Sequence, residues 1–74
     1  MKENFLEKVR ETLEIEDRHL QFSDRFKEYE EWDSLNLLSM IAMIDEDYGV
    51  VIDSNAMSKV QTLDELFQLI ESNK

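Results

Sequence analysis

EWDSL, residues 31–35, stands at the mouth of the longest apolar segment in the chain, SLNLLSMIAMIDEDY at residues 34–48. Asp and Ser are favoured at helix starts because their side-chain oxygens accept from backbone amides that have no partner in the first turn. From Ser34 the apolar residues recur with helical spacing as far as Tyr48, and Gly49 supplies the left-handed conformation that ends helices. At about 100° per residue, Leu37, Met40, Ile41, Ile44 and Tyr48 crowd one side and are expected in the core. Leu35, Leu38 and Ala42 fall on roughly the opposite side, interleaved with Ser39, Asp45 and Glu46. Scattered exposed leucines are common, yet an apolar strip edged by carboxylates and starting beside Ser34 also suits a docking surface.

Outward from this helix the chain reads as all-helical. Phe5, Leu6, Val9 and Leu13 give an amphipathic helix from about Glu3 to Glu14. Between Glu16 and Asp33 the periodicity lapses, but Leu20, Phe22, Phe26, Tyr29 and Trp32 are too apolar for a free linker. A loop this long in a small domain has to be functional or pinned, and Phe22 and Phe26 are expected to pin it around a short helical turn. Beyond Gly49, Val50, Val51 and Ile52 form a short apolar link, and Ser54 is expected to cap a short helical turn through Met57. Thr62-Leu63-Asp64-Glu65 is a capping box, opening a last helix on Leu63, Leu66, Phe67 and Ile70 that ends near Ser72. Three substantial helices and one short one make a small four-helix bundle.

Composition narrows the functions available. With 74 residues the chain is expected to be one domain, 1–74, with a core too small for a deep catalytic cleft. It has no proline, one glycine and no cysteine, so no disulfide or thiolate-metal site can staple it. No apolar run approaches the roughly 20 residues that span a bilayer, and MKENFLEKVRE lacks a signal-peptide core, so a cytoplasmic protein is expected. Eighteen acidic against 8 basic residues, a net charge of -10, oppose nucleic acid and anionic lipid as partners. Such a field favours basic patches on other proteins, and it also keeps a small domain soluble.

Catalytic chemistry finds little footing. His19 is the one histidine, with no cysteine, second histidine or serine at a diagnostic spacing, and is expected to be a solvated loop residue. Asp45-Glu46-Asp47 before Gly49 does not make a calcium loop, because counting back from the glycine puts Ile44 in the first ligand position. Methionines 40, 43 and 57 and the initiator read as core filler or plastic surface. Serine remains. No base is in view to activate it as a nucleophile, but another enzyme could transfer a group onto it. Ser34 suits that role, since a helix N-terminus favours an attached phosphate. Asp33 reads as the N-cap, and its carboxylate could help hold a divalent metal in a partner's active site. A second pair, Asp53-Ser54 in VIDSNAM, has the same dipeptide, so for the dipeptide alone capping is the stronger reading.

Phe26, Trp32-Asp33-Ser34-Leu35, the helix through Asp45-Glu46-Asp47-Tyr48, Ile52, and the Lys59-Val60-Gln61-Thr62-Leu63 junction together resemble the acyl carrier protein family. The likeness covers nearly the whole chain, and Asp-Ser-Leu is that family's attachment motif. The resemblance implies a right-handed-turning four-helix bundle with a long first loop, in which Ser34 carries 4'-phosphopantetheine through a phosphodiester. Coenzyme A would be the donor, and a phosphopantetheinyl transferase would act with magnesium. The arm's thiol would hold acyl groups as thioesters, so the chain itself would not be an enzyme. It further implies that enzymes of a fatty-acid, polyketide or specialised acyl-transfer pathway dock basic patches against the second helix, at Leu35, Leu38, Ala42, Asp45 and Glu46. A monomer is expected.

The chain also departs from the family pattern. Glu30-Glu31 replaces a common Leu-Gly pair, Asn36 and Ser39 stand where acids are usual, and Asp53 where a proline often follows. These favour a specialised carrier whose partners read a less acidic helix start. D-alanyl and peptidyl carriers share the bundle, so an aminoacyl cargo stays open, as does an unmodified helical adaptor in which Asp33 only caps.

Overall fold

The computed structural model describes residues 2–74, with side chains from residue 4 onward. Four helices form: α1 (Lys2–Thr12), α2 (Ser34–Tyr48), α3 (Ser54–Ser58) and α4 (Leu63–Ser72), with a 3-10 turn at Phe26–Glu28 inside the long first loop. The described residues hold no strand, so the all-α bundle of three main helices and one short one is the observed architecture. The initiator methionine lies outside the described residues.

One apolar core joins every element. Phe5 and Val9 of α1, Phe26 of the loop, Met40 and Ile44 of α2, Met57 of α3 and Leu63, Leu66 and Ile70 of α4 are all essentially sealed from solvent. Phe5 is its aromatic hub, with the rings of Phe67, Tyr48 and Phe22 at 5.2, 6.0 and 6.3 Å. Met40, Met43 and Met57 are all buried, so these methionines fill the core. On α2, Met40 and Ile44 are fully buried as expected, whereas Leu37, Ile41 and Tyr48 are half-buried at the edge of the core. Burial of Met43 widens the inward face beyond the expected stripe.

Two boundaries differ from the periodicity. Helix α1 stops at Thr12 rather than Glu14, because Glu14 takes a left-handed conformation with φ 58°. Around it the amide of Ile15 donates to the Arg10 carbonyl at 3.0 Å and that of Glu14 to the Glu11 carbonyl at 3.1 Å. This paired pattern ends a helix while satisfying its last carbonyls and turning Ile15, 2 % exposed, into the core. The second difference is at α3, where Asp53 and not Ser54 is the cap: the Asp53 carboxylate accepts the Ala56 amide at 2.8 Å, and Ser54 is the first helical residue. Asp accepts as well as Ser does, and whichever of the two keeps extended backbone takes the cap position. Elsewhere Gly49, at φ 67°, ends α2 with its amide on the Asp45 carbonyl at 3.0 Å. The capping box of α4 forms in full.

The long loop is fixed at both levels, by side chains and by backbone. Ile15, Leu20 and Phe26 are buried and Phe22 packs partly buried against the same core. The carbonyls of Asp24 and Phe22 accept the Leu63 and Asp64 amides at 3.1 and 2.9 Å. With Glu65 donating to the Thr62 hydroxyl at 3.1 Å, the first three amides of α4 are all satisfied. Lys27 reaches across to the Met57 carbonyl at 2.8 Å, tying the 3-10 turn to the end of α3.

Candidate functional site

The start of α2 is the place where the loop, the core and a free helix end meet. Trp32 packs edge-on against the fully buried Phe26, ring centroids 5.1 Å apart, which anchors the chain just ahead of the helix. Asp33 then takes extended backbone and its carboxylate accepts the Asn36 amide at 2.8 Å, while the Leu37 amide closes on the Asp33 carbonyl at 2.9 Å. Ser34 follows as the first helical residue and is exposed. Among the described residues its hydroxyl has no hydrogen-bond partner, and the amides of Ser34 and Leu35 donate to no other group. The contrast with α4, whose first amides the loop fills, leaves α2 with open donors and the positive end of a 15-residue dipole beside a free hydroxyl.

Beyond Ser34 the helix presents the strip read from the sequence. Leu35 and Leu38 are 70 % and 60 % exposed, and Ala42 is exposed with them. Asp45 and Glu46 follow on the same side, both exposed. Neither has an ion-pair partner among the described residues, whereas Asp47 is engaged by Lys8 of α1 at 3.4 Å. Two unpaired carboxylates thus sit beyond an apolar strip, and the first turn of α2 contains no acid. His19 is exposed in the loop, and among the described residues no cluster of His, Cys, Asp or Glu could hold a metal.

Three further residues belong to the neighbourhood and were not legible as such. Arg18 pairs with Glu31 through two contacts, 2.8 and 3.3 Å, and stands 5.1 Å over the Tyr29 ring. Its hydrogen bond to Glu31 is the main cause of the lowered carboxyl pKa there. The Asn36 side-chain amide donates to the Glu31 carbonyl at 2.6 Å. A contact spanning Arg18 to Glu31 depends on how the loop closes, and no local pattern announces it; Asn36 had shown only as a neutral residue at a commonly acidic position.

Fold and surface together define a small helical protein with an exposed serine at the start of α2 and a separate apolar face beside it. The chain belongs to the phosphopantetheine attachment site family, whose model matches residues 3–70. Domains of this family carry covalent 4'-phosphopantetheine and serve as carriers, not as catalysts, so the chain is a phosphopantetheine-carrying protein that works with a phosphopantetheinyl transferase and partner enzymes. Comparison with curated proteins and with solved structures returns no significant match. The residues at the α2 start fit the group: an exposed hydroxyl without a partner, and open amides that suit a phosphate. No helix among the described residues is long and apolar enough to cross a membrane.

Proposed function

We propose that Ser34 is the attachment residue and that the chain is an acyl carrier protein. The observation that carries this reading is the position of Ser34: first residue of a 15-residue helix whose leading amides are open and whose outer face holds an exposed apolar strip. Asp53-Ser54 offers the same cap but heads a helix of only 5 residues, with a correspondingly small dipole.

In the transfer, the Ser34 hydroxyl oxygen attacks the phosphorus that joins pantetheine to the nucleotide half of coenzyme A. A serine phosphodiester forms, the pyrophosphate bond breaks, adenosine 3',5'-bisphosphate leaves, and the hydroxyl proton passes to a base of the transferase. Asp33 holds the turn by capping Asn36 and keeps its second oxygen free toward a divalent metal in the transferase site. Once attached, the group supplies a thiol that bears acyl chains as thioesters. Leu35, Leu38 and Ala42 dock the partner's apolar surface, and Asp45 and Glu46 meet its basic residues. The carrier domain spans 1–74 and acts as a cytoplasmic monomer in a specialised acyl-transfer pathway. That choice is supported by Asn36 and the acid-free first turn of α2, and the cargo class is read from the mass of the group on protein isolated from its own cell.

Incubation with coenzyme A, magnesium and a promiscuous phosphopantetheinyl transferase, followed by intact mass, tests the attachment. Wild type and Ser54→Ala gain one phosphopantetheine group and Ser34→Ala gains none; gain by Ser34→Ala and not by Ser54→Ala would assign the wrong serine here.

A further inference from the structure

Asn36 makes two hydrogen bonds that bracket Ser34. Its backbone amide donates to the Asp33 carboxylate at 2.8 Å, and its side-chain amide donates to the Glu31 carbonyl at 2.6 Å. The second bond closes residues 31–36 into a ring with Ser34 inside it. The Glu31 end of that ring is itself held, because its carboxylate takes the Arg18 guanidinium at 2.8 Å and Arg18 lies over Tyr29. Tyr29 in turn donates its hydroxyl to Asp24 at 2.7 Å, and the Asp24 carbonyl accepts the first amide of α4. A continuous line of contacts therefore runs from α4 through the loop to the turn that carries Ser34.

The other Asp-Ser pair is an internal control. Asp53 caps Ala56 at the same 2.8 Å as Asp33 caps Asn36, but Ala56 has no side-chain donor, so the cap forms without the ring. Capping thus does not need the Asn36 side chain. Only a short side chain with a donor can make the second bond; an aspartate of the same shape would set an acceptor against the Glu31 carbonyl.

We propose that Asn36 is a positioning residue for the transfer, its side chain holding the backbone turn from which Ser34 presents its hydroxyl for attack on coenzyme A. The assignment rests on Ser34 being the attachment serine. Transfer reactions are sensitive to such placement, since the reacting oxygen has to arrive in line with the bond that breaks.

The test is steady-state transfer by the same transferase at varied carrier concentration, with wild type, Asn36→Asp and Asn36→Ala, well below the lowest melting temperature of the three. Loss of one hydrogen bond of ordinary strength lowers kcat about three- to tenfold. For Asn36→Ala the carrier's KM stays within about twofold, because the docking strip is untouched and no charge is added at the helix start. Backbone order parameters fall at residues 32–35 and hold elsewhere. An unchanged kcat in both variants, a change confined to KM, or a loss of order spread over the whole chain would each overturn the proposal. Modification of the variants as fast as wild type removes this inference alone, whereas a wild type that gains nothing at Ser34 removes the attachment reading with it.

Discussion

Ile44 and Leu38 share one helix and meet opposite surroundings. Ile44 is 0 % exposed within the apolar core, while Leu38 keeps 60 % of its surface in solvent. Ile44→Ala should destabilise the domain by about 2 to 5 kcal/mol, the cost of a cavity in a well-packed site. Leu38→Glu should leave the unfolding midpoint nearly unchanged and raise the KM of the transferase or a partner enzyme for the carrier. Chemical denaturation beside a transfer assay separates the two, and equal losses of stability would contradict the division of α2 into inner and outer faces. The poles of that division were legible from angular position because the helix is regular, but its width was not, since Met43 is buried and Leu37, Ile41 and Tyr48 are only half-buried. Residue-level detail was less legible. Which member of Asp53-Ser54 caps α3 depends on the backbone conformation each takes, and the dipeptide does not encode it.

At the scale of elements, helix ends separate what the sequence shows from what it hides. The box at Thr62 and Glu65 and the stop at Gly49 are local chemistry and were readable directly. The stop at Glu14 was not, since a left-handed glutamate has no signature; the pull of Ile15 into the core selects it. The loop's support of α4 through the Phe22 and Asp24 carbonyls was equally hidden, being a backbone contact between distant segments. Glu65 gives this junction a pH dependence. Its carboxylate accepts the Gln61 and Thr62 amides at 2.6 and 3.1 Å, and these bonds hold its pKa below the usual value. A lowered folded-state pKa contributes stability that is present above the unfolded value of about 4.3 and is lost as pH falls through the folded value. Glu65→Gln should therefore be less stable than wild type at pH 7, with the gap closing below about pH 4. Thermal melts of both proteins across that range check it, and a gap that stays constant would contradict the assignment.

Over the whole molecule the excess of acid dominates: 18 acidic residues face 8 basic ones, and among the described residues five acids are held in ion pairs. Self-repulsion of this kind is screened by salt, with the Debye length falling from about 30 Å at 0.01 M to about 8 Å at 0.15 M. The surface pairs that salt also weakens are each worth little. The melting temperature of the unmodified chain should therefore rise with sodium chloride over that interval, and a fall would show that its ion pairs outweigh its repulsion. The central claim is narrower, that among the chain's serines only Ser34 takes the group. It is tested most directly by modifying the wild-type protein, cleaving it, and locating the phosphopantetheine by peptide fragmentation mass spectrometry. The account predicts the whole of the added mass on Ser34, with Ser23, Ser39, Ser54, Ser58 and Ser72 unmodified; the group on any other serine, or none on Ser34, would contradict it.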